Sequence, residues 1–309
     1  NTAADIASVA FESGSNFKTI QEYAFSSSRI AEIYLPESIE LIGEYAFYGS
    51  LKLEKVNFAA LQATDNPVLT GIGKYAFSGC ASLWRIGQTY EGGFRTGIPV
   101  SLTQVSEGAF SMTAITVFYL HSGITSIGEA AFKQCENLTN IVLDSNSQLS
   151  SIGEAAFMQC GNLQEITLPV NITIISDRAF QYCSLLASVT FLGAVTEIGI
   201  FAFSGCSNLN NISFPSSLVT IKREAFSNCS AITSLVFGSA LRTIDTKAFY
   251  NCASIASVRI PASVTTVESQ AFAKSGTTGA TIYCQSENKP QGFADGWNGT
   301  FNLEWGAAI

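Results

Sequence analysis

Eleven phenylalanines, each directly preceded by alanine, set the frame of this chain. They are Phe25, Phe47, Phe77, Phe110, Phe132, Phe157, Phe180, Phe203, Phe226, Phe249 and Phe272, separated by 22, 30, 33, 22, 25, 23, 23, 23, 23 and 23 residues. A period in the twenties means a stacked solenoid, in which each turn buries its apolar side only against its neighbours. Five residues before each phenylalanine stands a β-branched apolar residue, from Ile20 and Ile42 through to Ile244 and Val267. Three residues before that comes another hydrophobe, such as Leu149, Leu218 or Val264.

Short alternating runs follow: Leu163-x-x-Ile166-x-Leu168, Leu209-x-x-Ile212-x-Phe214 and Ile255-x-x-Val258-x-Ile260. Alternation of this kind reads as a strand with one buried face. Pro36, Pro169, Pro215 and Pro261 directly follow such runs. Proline has no N–H with which to continue a ladder, so it ends the strand. The stretch from the isoleucine to three residues past the phenylalanine, such as Gly128–Cys135, shows no alternation. It is too short for an independently stable helix. The expectation is a tight helical or 3₁₀ turn that returns the chain opposite the strand. The phenylalanine then fills the core, and the small alanine before it permits close approach.

The segments Leu163–Cys183 and Leu209–Cys229 carry the whole pattern: Leu, Ile, an apolar strand end, Pro, two further hydrophobes, Ala-Phe and Cys at fixed spacing. This pattern resembles the BspA-like class of leucine-rich repeats. The resemblance extends from about Phe17 to Phe272. It implies an α/β-type repeat solenoid, a right-handed arc of about eleven repeats of ~23 residues. Parallel strands would line one face and short helical or 3₁₀ turns the other. Stacked about 4.8 Å apart, eleven repeats would extend roughly 50 Å. The segment from Ile282-Tyr283-Cys284 to Trp305-Gly306 resembles the closing piece that follows such arrays. The expected organisation is therefore one solenoid over 1–275, with 1–16 as an N-terminal tail or cap, and a C-terminal capping segment over 276–309. Members of the class are surface or secreted proteins of gut and oral bacteria and of some protists, several implicated in adhesion to host proteins. That implies an extracellular or cell-surface location, with a targeting segment removed ahead of Asn1.

Composition narrows the partners. Charged residues make up 13% and the net charge is −8, where ordinary globular proteins hold about 25% charged residues. An acidic surface lacks the term that dominates nucleic-acid affinity and gives no attraction to anionic membranes. No apolar run is long enough to insert in a bilayer as a helix. The partner expected of such a repeat surface is a protein or glycan ligand, and the chain is expected to be monomeric.

No catalytic set emerges. His121 is the single histidine, placed after the strand that ends at Leu120, and no nucleophile motif accompanies it. A surface histidine at a strand end is the favoured reading. Cys80, Cys135, Cys160, Cys183, Cys206, Cys229 and Cys252 all stand three residues after a repeat phenylalanine. A buried, unpaired ladder is favoured, because free cysteine behaves as a small hydrophobe. Disulfides between successive repeats are the alternative. Cys284 lies outside the ladder. Neither a metal nor any other cofactor is expected, since no CxxC or histidine companion supplies the ligand spacing.

Binding residues are sought where the repeat is irregular, because insertions in solenoids map to loops on one face. Two long steps place extra residues around Ala60–Val68 and Gly87–Ser101. The second brings Tyr90, Phe94 and Arg95 close in sequence to Trp84 and Arg85. Aromatic residues and arginine are the types enriched at binding hot spots. An ordinary loop whose aromatics pack back on the solenoid is the competing reading. The strands differ too. Early ones expose Glu32, Tyr34, Lys55, Arg85 and Tyr119, and late ones Ser188, Thr190, Ser213, Ser234 and Ser257. Trp84, Arg85, Tyr90, Phe94, Arg95, Tyr119 and Tyr34 are accordingly the candidate ligand-binding residues. The expected function is a non-catalytic adhesion module that binds protein or glycan. A structural spacer displaying another domain is the alternative.

Overall fold

The structure, a computed structural model, describes residues 6–12, 14–58, 69–90 and 93–308. The side chains at 88–90, 93–95 and 211 lie outside that description. So does the Ala60–Val68 insertion. The chain forms two compact units, Asn1–Leu149 and Ser150–Ile309.

In each unit the chain winds as a β-solenoid with two parallel ladders. The longer strands of the first unit are Ile6–Ala10, Ile30–Leu35, Lys55–Phe58 and Arg85–Tyr90, paired in that order. Val117–Leu120 pairs with Asn140–Leu143. In the second unit Glu165–Leu168, Ser188–Phe191 and Asn211–Ile212 form one sheet. Ser234–Val236, Ser257–Ile260, Thr281–Cys284 and Asn302–Trp305 form another. The β-branched residue before each phenylalanine lies in a second ladder of two-residue strands. Ile174–Ile175, Glu197–Ile198, Thr220–Ile221, Thr243–Ile244, Thr266–Val267 and Gly292–Phe293 form a six-stranded example. The alternating runs are strands as expected, but the second ladder replaces part of what reads as a turn.

No helix or 3₁₀ segment occurs among the described residues. This corrects the expected helical turns, and the cause is in the backbone. Two positions in every repeat, two residues before and two after the phenylalanine, have positive φ. Around Phe180 these are Arg178 (56°) and Tyr182 (61°), and around Phe226 Glu224 (55°) and Asn228 (63°). A residue in the left-handed region interrupts a right-handed helix. The hydrogen bonds alternate accordingly. The N–H groups of Arg178, Phe180 and Tyr182 cross to the carbonyls of Ile200, Ala202 and Ser204 in the next turn, each at 2.8 Å. Those of Ala179, Gln181 and Cys183 close three-residue steps to Ser176, Arg178 and Phe180 at 3.3, 3.1 and 3.2 Å. Every second donor therefore binds the neighbouring repeat, so the segment is as much ladder as turn.

The phenylalanines stack inside as expected. In the first unit Phe25–Phe47 and Phe47–Phe77 lie 5.1 Å apart. In the second the ring centroids run 5.4, 5.3, 5.2, 5.2 and 5.3 Å from Phe157 to Phe272, with interplanar angles of 9° or less. From Phe47 onward the alanine before each, such as Ala179, Ala202 and Ala225, is fully buried, whereas Ala24 is exposed.

The described residues make about twelve turns, one more than the phenylalanine count indicates. The extra turn is built by the tail. Thr281–Cys284 pairs with Ser257–Ile260, and Gly292–Phe293 pairs with Thr266–Val267. The Trp297 and Phe301 rings meet Phe272 edge-on at 6.0 and 6.1 Å. The Phe272 N–H donates to the Trp297 carbonyl at 2.8 Å, as the Phe249 N–H does to Ala271. Different side chains thus continue the same backbone frame over the last phenylalanine. Cys284 has its place here, buried on the inner side of this turn's strand.

All eight cysteines are buried, and none forms a disulfide. They do more than fill space. The thiols of Cys183, Cys206, Cys229 and Cys252 each donate to the carbonyl of the phenylalanine one repeat earlier, at 3.1 Å. Where the ladder lacks cysteine a hydroxyl takes over: Ser50 donates to the Phe25 carbonyl at 2.6 Å and Ser275 to that of Phe249. The position selects a small donor, because an unsatisfied buried carbonyl is costly. Burial pushes the thiols of Cys80, Cys183, Cys252 and Cys284 up to about 12, and that of Cys135 to about 11. The thiolate is the reactive species. At pH 8 a thiol reagent is therefore expected to modify few or none of the eight in the native protein and all of them after unfolding. Rapid native modification would contradict the buried ladder.

Candidate functional site

The outward residues of the first unit's longer strands meet in register. Glu32 pairs with Lys55 and Lys55 with Arg85, while Tyr34 pairs with Asn57. Residues opposite one another on adjacent strands touch on the same face. Here that produces a connected cluster. The Lys55 ammonium forms an ion pair with Glu32. The Tyr34 hydroxyl donates to Glu32 at 2.8 Å. Lys55 Nζ also sits 5.8 Å from the centroid of the Trp84 ring, within reach of a cation–π contact. The Lys55 and Tyr34 hydrogen bonds hold the Glu32 carboxyl below its ordinary value. The same carboxylate raises Tyr34 and Lys55. Tyr34 and Trp84 remain 47% and 45% exposed, so the ion pair fixes an aromatic surface without covering it.

The Gly87–Ser101 insertion, expected as a loop, contains a strand among its described residues. Gly93–Thr96 folds back antiparallel on Arg85–Tyr90, with Gly87 opposite Thr96 and Tyr90 opposite Gly93. Gly97 then forms a parallel bridge to Tyr119. A Cβ at Gly97 would lie 2.6 Å from the Tyr119 carbonyl oxygen, so glycine is what allows this approach. The insertion is thereby spliced into the strand face as an additional strand. Tyr119, 37% exposed, lies beyond it from the Tyr34–Lys55–Trp84–Arg85 cluster. Tyr90, Phe94 and Arg95 have backbone in this hairpin, but their side chains lie outside the described residues. Tyr34, Trp84 and Arg85 are brought together, and Tyr119 is one inserted strand away.

Sequence reasoning passed over Asn57, which sits in the same face, and the pair Arg259–Tyr283 on the second unit. The Arg259 guanidinium lies 5.4 Å from the Tyr283 ring centroid. Their adjacency follows from the parallel pairing of Arg259 with Tyr283, which includes the tail turn. His121 is half-buried rather than free on the surface. Its Nδ1 accepts the Gly123 N–H at 3.2 Å, and burial lowers its imidazole below the ordinary value. The nearby Asp144 carboxylate accepts the Ser122 N–H at 3.0 Å. These bonds hold the turn after Leu120.

The BspA-type leucine-rich repeat model matches six copies, over residues 3–89, 63–187 and 173–289. The chain belongs to that family. Among solved structures, it resembles a leucine-rich repeat protein from Bacteroides ovatus at 25% identity and a TM-score of 0.61. That alignment covers 80% of this chain and 65% of the other, so the chain spans less than two thirds of that relative. The pneumococcal vaccine antigen PcpA aligns at 18% identity and a TM-score of 0.54, over 95% of this chain and 80% of its own; that likeness shows the fold. No curated protein sequence is significantly similar. The family is one of repeat scaffolds, and a protein-interaction role is the function class it supports. Among the described residues no helix is long and apolar enough to cross a membrane.

Proposed function

We propose that this chain is an extracellular adhesion module without catalytic activity. It binds a host or neighbouring-cell protein or glycan through the strand face and early insertion of its first unit. The observation that carries the reading is the exposed cluster of Tyr34, Trp84 and Arg85 organised around the Glu32–Lys55 ion pair. Rigid aromatics beside arginine lose little conformational entropy on binding and are the side chains that dominate interfaces. Membership of a bacterial repeat family gives the surface location its support. The alternative, a spacer for another domain, draws on the second unit, where Ser188, Thr190, Ser234 and Ser257 offer few anchors.

The test is a binding screen on immobilised host extracellular proteins and glycans, followed by two sets of variants. Tyr34→Ala, Trp84→Ala and Arg85→Ala together are expected to weaken binding by at least about 2 kcal/mol, as loss of a hot spot does. Ser188→Ala, Ser234→Ala and Ser257→Ala together should change it little. Adding Tyr90→Ala, Phe94→Ala and Arg95→Ala to the first set asks whether the hairpin joins the interface. Equal losses from the two main sets, or full binding after loss of the first, would place the site elsewhere.

A further inference from the structure

The direction of the hydrogen bonds between turns decides what the first turn leaves open. Each turn donates forward. The N–H groups of Tyr23, Phe25 and Ser27 cross to the carbonyls of Glu44, Ala46 and Tyr48 in the second turn, at 3.2, 2.7 and 2.7 Å. Those of Ala24, Ser26 and Ser28 close back on Gln21, Tyr23 and Phe25. The carbonyls of Glu22, Ala24 and Ser26 hold the accepting positions of the first turn. They receive no hydrogen bond from any described residue. Glu22 and Ala24 are exposed. The turn ladder therefore ends here in a row of backbone acceptors whose neighbouring donors are all engaged.

Aromatic rings and carboxylates stand beside this row. Tyr23, Tyr45 and Tyr75 occupy the same left-handed position in three successive turns, with φ of 56°, 54° and 54°. Their rings stack at 4.9 and 5.2 Å. Tyr75 anchors the stack. Its hydroxyl donates to Glu107 at 2.8 Å, and its ring lies against Gly108, where a Cβ would come within 2.2 Å of it. Tyr23 ends the stack with one stacked neighbour and is 52% exposed. Glu22, Glu44 and Lys74 directly precede the three tyrosines. Lys74 is bound to Glu107 at 2.8 Å, whereas Glu22 and Glu44 form no ion pair among the described residues. Desolvation, Tyr45 and these two carboxylates hold the Tyr23 hydroxyl above its ordinary value.

We propose that this end of the solenoid docks an arginine-bearing segment of a partner protein. Acceptor carbonyls, carboxylates and an open aromatic face call for one complement, a flat cation that only donates. A guanidinium carries five N–H donors and no acceptor, and it stacks on aromatic faces. A lysine ammonium supplies the charge without the flat face. An acidic segment would meet Glu22 and Glu44 and find no donor. A second copy of this chain would bring a net charge of −8 against the same sign, and like charges oppose docking. The surface shares no residue with the Tyr34–Trp84–Arg85 cluster and stands or falls independently of it.

The test uses the full chain with a capped peptide of alternating arginine and glycine, and with its lysine and glutamate counterparts, read by calorimetry and by tyrosine ring shifts in NMR. The arginine peptide is expected to bind, the lysine peptide to bind more weakly and the glutamate peptide not at all. Added salt should weaken the binding, since exposed charges are screened. Glu22→Gln with Glu44→Gln should weaken it at least about tenfold. Tyr23→Asn removes the ring at a position where asparagine tolerates positive φ, and should weaken it by a similar factor. Tyr23→Phe keeps the ring and should keep the affinity, and Trp84→Ala should leave it unchanged. Circular dichroism and thermal melting check that each variant is folded. The proposal is overturned by an absence of arginine-peptide binding, by equal binding of the glutamate peptide, or by an equal loss in Trp84→Ala. A loss in the glutamine pair with none in Tyr23→Asn would reduce the binding to non-specific attraction and also overturn it. Self-association in sedimentation that Tyr23→Asn abolishes, without peptide binding, would overturn it too and give this end to a second copy.

Discussion

Replacing Phe203 by alanine is expected to destabilise the second unit by about 3–5 kcal/mol, the usual cost of emptying a packed aromatic site. The ring is fully buried, and both its faces are occupied by Phe180 and Phe226, 5.3 and 5.2 Å away. Neighbouring turns cannot close the gap without breaking their own ladder. The Phe203 N–H donates to the Ala225 carbonyl at 2.8 Å, and the Phe180 N–H to that of Ala202 at 2.8 Å. The backbone spacing is thus fixed by hydrogen bonds while the cavity forms. In a nearest-neighbour array the loss should appear first in the adjoining repeats. Hydrogen exchange should show reduced protection around Phe180 and Phe226, and chemical denaturation a lower midpoint. Phe25 is the internal control. It is only partly buried and has one stacked neighbour in its series, Phe47, so Phe25→Ala should cost clearly less. Equal costs at both positions, or unchanged exchange beside Phe203, would refute the stacked core as the source of stability.

The parts of this fold that were legible in the sequence are those where burial restricts chemistry. A fully enclosed ring between two others admits few substitutes, so Phe and the preceding Ala recur and can be counted. The thiol ladder was visible, but its purpose was not. Ser50 and Ser275 do the same work as Cys229, and the shared property is a small donor rather than an apolar group. The turn conformation was hidden for a related reason. Its left-handed positions hold Tyr45, Ala155, Arg178, Phe201 and Glu224, which share no chemistry. What they share is the absence of β-branching and of proline, and an exclusion is a faint signal in a chain this rich in alternating hydrophobes. The strand face was legible residue by residue, since Tyr34, Trp84 and Arg85 are recognisable types. The ion pair that organises them joins residues 23 apart, and only the register brings Glu32 to Lys55. The last turn escaped the count because Trp297 and Phe301 cover Phe272 in place of the Ala-Phe-x-x-Cys pattern.

The left-handed positions yield a prediction in which two substitutions at one residue act with opposite sign. Glu224 has φ of 55°, and its N–H donates to the Thr246 carbonyl in the next turn at 3.1 Å. Proline fixes φ near −65° and removes that donor. Glu224→Pro must therefore give up both the local conformation and the link between repeats, and it is expected to cost about 3 kcal/mol or more. Glycine ordinarily destabilises regular structure through its backbone freedom. Here it relieves a left-handed residue of its Cβ strain, worth roughly 1–2 kcal/mol, so Glu224→Gly should stabilise by about 1 kcal/mol once the entropy of the unfolded chain is subtracted. Denaturation midpoints of the two variants, measured against the parent chain, separate this account from a helical turn. In a helix interior both substitutions would destabilise. A lower midpoint for Glu224→Gly, or tolerance of proline at that position, would mean that the turns are not held by alternating left-handed residues.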